Sequence, residues 1–572
     1  MNDETKHIYQ GTLKDSEIPS KARSKTSSFI IHHSSLLVVL VILMLAAQAR
    51  LLYVFPQPDS ARWWGDETGQ MLELRTELEG GFARIPTGLG SSVAITNGLV
   101  RGNSWLAAVV YGVPAIIFSS ETDLVTIGRT VTFVLALLLL FVLYSMLRKF
   151  HAPPLLAIFA TLLLVSTRSF FFASHAARLD IAAGLTVLGF VWYLASRYER
   201  FREGRWTPSA RWYFGYGIAV VFFATLSIHL VTLLGALTLY MFWRFGSCRR
   251  PVALFAAAGG AMVMLALLLS VYALSGAPIS LFGPSSAPNQ FQSVASGLPM
   301  LRPFSRSVQL ANILERVHGF ESEAPAFLAL LIFAIVSRFA LRRSSPALAR
   351  EQWLSGAAIV IAVTWLLFQS PALYYYCEVL PLFIVAIVVS ISRRWKQNVM
   401  MSWMIVGFGL LLCFFGIQDT FRASALARTL DQENHAALTD ALDSILRDSN
   451  VQSTVKPLIL AQNPAIAWLE HQQSVRLMTA HLIGFPITNA PIPTVLQKLG
   501  VNYILLYAPH DAVTYSDDYH TLRPLADSLG TVIFRKTGIL FDVHRDYFAG
   551  KTLNNMAAID TLILYKLPSI VR

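Results

Sequence analysis

The sequence predicts an α-helical polytopic membrane protein of about eleven spans with a C-terminal extracytoplasmic α/β domain. Three observations predict it. The chain is 54% hydrophobic and only 14% charged, whereas soluble domains are roughly a quarter charged. Its apolar residues are gathered into runs of spanning length, about 17–25 residues. After Gly416 these runs give way to short aliphatic segments alternating with polar ones.

Spanning runs begin near Ser35, Val125, Pro154, Leu179, Pro251, Ala324, Trp353, Tyr374 and Val399. Trp105–Phe118 is short and holds Gly112 and Pro114, and Trp212–Phe245 is too long for one span. Basic residues decide how these thread, because Lys and Arg concentrate in cytoplasmic loops. They cluster at Arg148-Lys149, Arg197–Arg211, Arg244–Arg250, Arg338–Arg350 and Arg393–Lys396. Placing every cluster inside makes Trp105–Phe118 a juxtamembrane or re-entrant segment. It also splits Trp212–Phe245 into a hairpin with its tip near Ser227–His229, outside. The division expected is a disordered cytoplasmic tail at 1–34, a transmembrane domain at 35–417 with outer loops 55–123 and 275–323, and the extracytoplasmic α/β domain at 418–572. The first apolar run lacks a convincing small-residue cleavage site, so it is expected to stay as a span.

The net charge of +12 is accounted for by these loops, so nucleic acid is not an expected partner. Cys248, Cys377 and Cys413 form neither a disulfide framework nor a zinc pattern. No cofactor is expected, with a divalent metal left open. In the last third, Pro457–Ala461, Val475–Thr479, Val501–Tyr507, Val532–Arg535, Ile539–His544 and Thr561–Leu567 read as strands. Thr420–Arg447, Ala465–His471 and Thr494–Leu499 read as helices. That region holds no phosphate loop, metal spacing or nucleophile motif, and no chemistry is assigned to it.

The threading gathers chemistry on one face. Arg62-Trp63-Trp64-Gly65-Asp66-Glu67 lies where the first span leaves the bilayer, and ionisable groups held there are functional candidates. Arg178 and Asp180 occupy a short outer turn, His229 the hairpin tip, and Tyr374, Tyr375 and Tyr376 another outer turn. Carboxylates facing such a cavity suit a general base, and Arg or His suits an anionic group such as a phosphate. Each also has a plainer role: Arg178 and Asp180 as a local pair, His229 as a cap. No His-Glu-x-x-His, serine elbow or Cys-His signature supports hydrolysis.

The order of motifs resembles the GT-C class of membrane glycosyltransferases, and within it the protein O-mannosyltransferase and lipid A aminoarabinose transferase group. Six stretches, within residues 35–415, carry the resemblance: the acidic pair Asp66-Glu67 after a first helix, Gly128-Arg129-Thr130, Leu147-Arg148-Lys149-Phe150, Ala177-Arg178-Leu179-Asp180, Ala224-Thr225-Leu226-Ser227-Ile228-His229, and Tyr374-Tyr375-Tyr376-Cys377-Glu378-Val379-Leu380-Pro381. Relatives often have Thr-Lys where His229 stands, and a Pro-Pro-Leu-Tyr run where this chain has Gly102-Asn103-Ser104-Trp105. The resemblance implies transfer of a sugar from a polyprenyl-phosphate donor to a glycan, lipid or protein acceptor outside the cytoplasmic membrane. It implies catalytic roles for Asp66, Glu67 and Asp180, with Asp66 as base in an inverting displacement. Arg178, His229, Tyr374, Tyr375 and Tyr376 would hold the donor phosphate. The rival reading is a transporter or flippase of a lipid-linked or polar solute, with the carboxylates as ion relays. A third class, a membrane scaffold presenting the C-terminal domain, leaves the acidic pair without purpose.

Overall fold

The computed structural model describes residues 84–85, 93–94, 105–118, 124–174, 176–226, 228–274, 349–368, 373–395, 436–448, 457–461, 475–479, 501–508, 517–539 and 560–568, with scattered positions at 400–418 and 493–500. Its helices are α1 (Trp105–Phe118), α2 (Leu124–Lys149), α3 (Pro154–Val165), α4 (Arg168–Ala173), α5 (Asp180–Arg202), α6 (Ala210–Ala224), α7 (Ile228–Arg244), α8 (Pro251–Leu274), α9 (Ala349–Phe368) and α10 (Leu380–Trp395). The tail 1–34, the first span, the loop 275–323 and the span near Ala324 lie outside the described residues.

Among the described residues, three helices are long and apolar enough to cross a membrane, over Thr126–Lys149, Asp180–Arg202 and Pro251–Leu268. Leu138 and Phe141 on α2, Leu239 and Trp243 on α7, and Phe255, Met262 and Leu267 on α8 are turned outward. Large apolar side chains facing out along apolar helices mark a multi-pass membrane protein.

Local chemistry sets the breaks. Arg148 Nη1 donates to the Ala152 carbonyl at 2.6 Å, tying off α2, and Pro153-Pro154 starts α3, where a missing N–H is harmless. Ser209 caps α6 by accepting from the Trp212 N–H at 3.3 Å. The long run at 212–245 is indeed two helices. Thr225 Oγ1 donates back to the Phe222 carbonyl at 2.6 Å, a side-chain bond that competes with helix continuation. The expected juxtamembrane segment is α1, a helix that keeps Pro114 inside it.

Helix α5 packs against α2, α7, α9, α10 and the 3₁₀ segment Leu373–Glu378. Helix α10 is buried nearly all round, from Leu380 to Val389, so it has no lipid face along that stretch. At the other extreme, α8 packs on α6 so closely that a Cβ added at Gly260 would meet the Phe214 backbone. Such small-residue contacts let dispersion hold helices together where lipid removes the hydrophobic drive.

The second body is a five-stranded mixed sheet. Its strands are β3 (Leu458–Ala461), β4 (Arg476–Thr479), β5 (Val501–Ala508), β6 (Thr531–Ile539) and β7 (Asp560–Lys566), in spatial order β4-β3-β5-β7-β6; β1 (Arg84–Ile85) and β2 (Val93–Ala94) form a separate small pair. β3 runs parallel to β4 and β5, while β7 is antiparallel to β5 and β6. Alternation sorts the side chains: Ile459, Tyr503, Leu505, Leu562 and Leu564 meet Leu438, Leu442 and Ile445 of the helix 436–448, α11. On the other face Leu460, Ile504, Leu506, Ile563 and Tyr565 meet Leu522 and Ala526 of α12 (Asp517–Leu529). The sequence reading placed two strands at Val532–Arg535 and Ile539–His544. In the structure β6 takes in the first of these and runs on to Ile539 through a register shift against β7, while residues 540–544 of the second lie outside the described residues.

Candidate functional site

The turn before α5 is shaped by two bonds. The Arg178 N–H donates to the Ala176 carbonyl at 2.7 Å, and Tyr111 of α1 donates its hydroxyl to the Arg178 carbonyl at 2.7 Å. Arg178 Nε then donates to Asp180 Oδ2 at 2.7 Å, and the two side chains are only 4% and 6% exposed. Asp180 opens α5, where the helix dipole favours a negative charge.

Opposite them stands a second pair. His229 lies in the first turn of α7, and its Nδ1 is 3.2 Å from Glu378 Oε1; Glu378 is fully buried and His229 is 15% exposed. Tyr375 sits between the pairs. Its ring meets His229 edge-on at 4.0 Å between centroids, and the Arg178 guanidinium carbon is 5.8 Å from its centroid. Glu378 is within electrostatic reach of both Arg178 and Asp180. The 3₁₀ segment carrying Tyr375 and Glu378 packs hard on α5, since a Cβ at Gly184 would meet the Cys377 carbonyl.

The structure thus brings together four of the residues expected from sequence: Arg178, Asp180, His229 and Tyr375. Tyr376 is buried against Trp365, with ring centroids 4.4 Å apart. Asp66, Glu67 and the side chain of Tyr374 lie outside the described residues. Two contributors escaped the sequence reading. Glu378 had a usable signal, a carboxylate at the mouth of an apolar run. Tyr111 had none, because its bond to Arg178 links positions 67 residues apart.

The cluster lies opposite the basic residues on the same helices. Asp180 begins α5 and Arg200 and Arg202 end it; His229 begins α7 and Arg244 ends it. At 1.5 Å per residue, helices of this length separate the ends by roughly 25–35 Å. The basic ends are themselves tied, by the Arg350–Glu199 ion pair and by Arg350 Nη1 donating to the Lys149 carbonyl at 2.9 Å. Buried ion pairs are tolerated when hydrogen bonds satisfy them, so a cluster of this kind can orient a polar ligand head. Among the described residues, no group of three or more His, Cys, Asp or Glu side chains is placed to hold a metal.

No family model matches the chain, and no curated protein matches it. Solved structures similar to it include ArnT from Cupriavidus metallidurans bound to undecaprenyl phosphate, 14% identical over 91% of this chain and 98% of that one, with a TM-score of 0.49. The apo state of the same ArnT is 12% identical over 94% of this chain and 98% of that one, with a TM-score of 0.43. The S. cerevisiae protein O-mannosyltransferase Pmt1-Pmt2 complex bound to the sugar donor is 16% identical over 42% of this chain and 33% of that one, with a TM-score of 0.29.

Proposed function

We propose that the protein transfers a sugar from a polyprenyl-phosphate-linked donor to a glycan, lipid or protein acceptor at the outer face of the cytoplasmic membrane. The observation that carries this reading is the Arg178–Asp180–Tyr375–His229–Glu378 cluster, drawn from distant segments to the helix ends opposite the basic residues. A lipid-linked phosphate needs an apolar wall for its tail and polar donors for its head, and this arrangement offers both. The guanidinium has five donors, of which Nε is committed to Asp180; Asp180 therefore acts by holding Arg178 in place. The concentration of Lys and Arg at the other helix ends supports the outer placement.

In the reaction, Asp66 takes the proton of the acceptor hydroxyl, with Glu67 beside it in sequence. The acceptor oxygen forms a bond to the anomeric carbon as the bond from that carbon to the phosphate oxygen breaks. The electron pair leaves with the polyprenyl phosphate, and the anomeric configuration inverts. Arg178, His229 and the tyrosines Tyr374–Tyr376 bear on the leaving phosphate, whose developing charge they offset.

The test uses full-length protein in nanodiscs with undecaprenyl phosphate and a panel of undecaprenyl-phosphate sugars. The wild type should bind the lipid phosphate, and Arg178→Ala should weaken binding at least about ten-fold, the loss of a charge-assisted hydrogen bond. Asp66→Asn should keep binding but lose about 10²–10⁴-fold in transfer, the usual contribution of a general base. Failure of the wild type to bind the lipid phosphate or to use any panel member would overturn the proposal.

A further inference from the structure

Where the basic end of α5 turns into α6, the corner is built from aromatic rings. Trp212 Nε1 donates to the Tyr193 hydroxyl at 2.8 Å, and Trp206 meets Trp212 edge-on with ring centroids 5.2 Å apart. The connection is tight. The Arg205 N–H donates to the Arg200 carbonyl at 2.9 Å, Gly204 takes the left-handed conformation at φ 70°, and Ser209 caps α6.

Arg197 lies against this wall. Its guanidinium carbon is 5.1 Å from the Tyr193 centroid and 5.2 Å from that of Trp206. Among the described residues it has no hydrogen bond or ion pair. The acids next to it in sequence are already taken, Glu199 by Arg350 and Glu203 by Arg205. Arg200, Arg202 and Arg211 are exposed around the same corner, also without an acidic partner among the described residues. A guanidinium laid over an aromatic ring keeps the N–H donors of its edge, in the fork that matches a phosphate.

The depth and the direction suit a lipid head. Arg197 stands about 26 Å from Asp180 along α5, at 1.5 Å per residue, and the hydrocarbon core is about 30 Å thick. Its charge therefore reaches the level where headgroup phosphates begin. Tyr193 and Phe214 beside it are 42% and 38% exposed, so the corner opens outward.

We propose that Arg197, with Arg211 at the start of α6, binds the phosphate of an anionic phospholipid in the leaflet at the basic ends of the helices. The rings of Tyr193 and Trp206 hold the guanidinium in place, and its donors meet the phosphate oxygens. The site lies at the opposite helix ends from the Arg178–Glu378 cluster and does not depend on the transferase reading.

The experiment titrates the full-length protein in detergent with phosphatidylglycerol or phosphatidylcholine and counts bound lipids by native mass spectrometry. The wild type should bind phosphatidylglycerol at least about ten-fold more tightly than phosphatidylcholine, as a basic site for anionic lipid requires. Arg197→Gln should lose about ten-fold in phosphatidylglycerol affinity, the scale of one charge-assisted hydrogen bond. Arg197→Lys keeps the charge without the fork, so it should fall between the two, and it serves if the glutamine variant does not fold. Arg205→Gln removes an equal charge that is already paired at the surface and should stay within about two-fold of the wild type. Equal affinity of the wild type for the two lipids, wild-type affinity in both Arg197 variants, or equal losses in Arg197→Gln and Arg205→Gln would overturn the proposal. Inorganic phosphate that displaces the lipid at matching concentration would make this a site for the free anion and overturn it too.

Discussion

The phenol of Tyr111 and the main-chain carbonyl of Arg178 are joined by a 2.7 Å hydrogen bond inside the helical core. It couples α1 to the turn that holds the Arg178–Asp180 pair.

Tyr111→Phe keeps the ring and removes the bond. A buried polar group that loses its donor costs about 1–3 kcal/mol. We expect a lower melting temperature in detergent and weaker binding of undecaprenyl phosphate, with the helical content unchanged. Wild-type melting and binding would show that the turn is held without Tyr111.

Gly184→Ala places a Cβ onto the Cys377 carbonyl, so the 3₁₀ segment or α5 must move. Overpacking of this kind costs about 1–3 kcal/mol, and here the strain falls on the segment bearing Tyr375 and Glu378. Gly189→Ala, on the same helix with open space around it, should be neutral or stabilising by up to about 1 kcal/mol. Thermal melting of the two variants side by side tests the contrast; equal effects would refute the close packing.

Acid should loosen the sheet from both faces. Asp448 of α11 accepts from the Tyr503 hydroxyl at 2.7 Å and from Lys566 Nζ at 2.8 Å. Asp527 of α12 accepts from the Tyr565 hydroxyl at 2.6 Å and from Arg523 Nε at 2.7 Å. Burial pushes each carboxyl up, but these bonds outweigh it and hold both below the usual carboxylate range. A carboxyl lowered by folding stabilises the fold above its unfolded value, about 3.9. That stabilisation is lost as pH falls from there through the folded value. Amide protection in Val501–Ala508 and Asp560–Lys566, corrected for intrinsic exchange, should therefore fall below about pH 4. Asp448→Asn should lower protection near neutrality and flatten that acid decline; an acid decline as steep as in the wild type would remove Asp448 from the cause.

The threading is open to a labelling test. Cys248 is exposed and lies in the basic segment Arg244–Arg250, so an impermeant thiol reagent should miss it in intact cells and reach it after permeabilisation. A Ser209→Cys variant should behave the same way. Labelling of either from outside would invert the assignment of faces.

Much of the helical part was legible in the sequence because span length and basic punctuation act locally. The split of the run at 212–245 was readable from the charges at its two ends, although the break, at Thr225-Leu226, falls just before the expected tip. The strands were legible as aliphatic runs, whereas α12 was not: Pro524 in its interior reads as a breaker. The cluster was half legible. Arg178 and Asp180 sit two residues apart and announce themselves as a pair. The partner of His229 stands 149 residues away, and no local pattern records a bond across that distance. Sequence treated Tyr374, Tyr375 and Tyr376 alike, but the 3₁₀ turn sends Tyr375 toward His229 and Tyr376 into the Trp365 contact.

The two ion pairs of the cluster also differ in when they come into being during synthesis. Arg178 and Asp180 leave the ribosome almost together, so they enter the membrane as a unit already neutral in sum. Glu378 emerges long after His229, so the contact between them forms only when a late segment arrives. Because domains form from the N-terminus onward during translation, the last turn before α10 completes the polar centre. A nascent chain stalled before residue 373 would carry the Arg178–Asp180 pair but not its counterpart, so the cluster is completed late in synthesis.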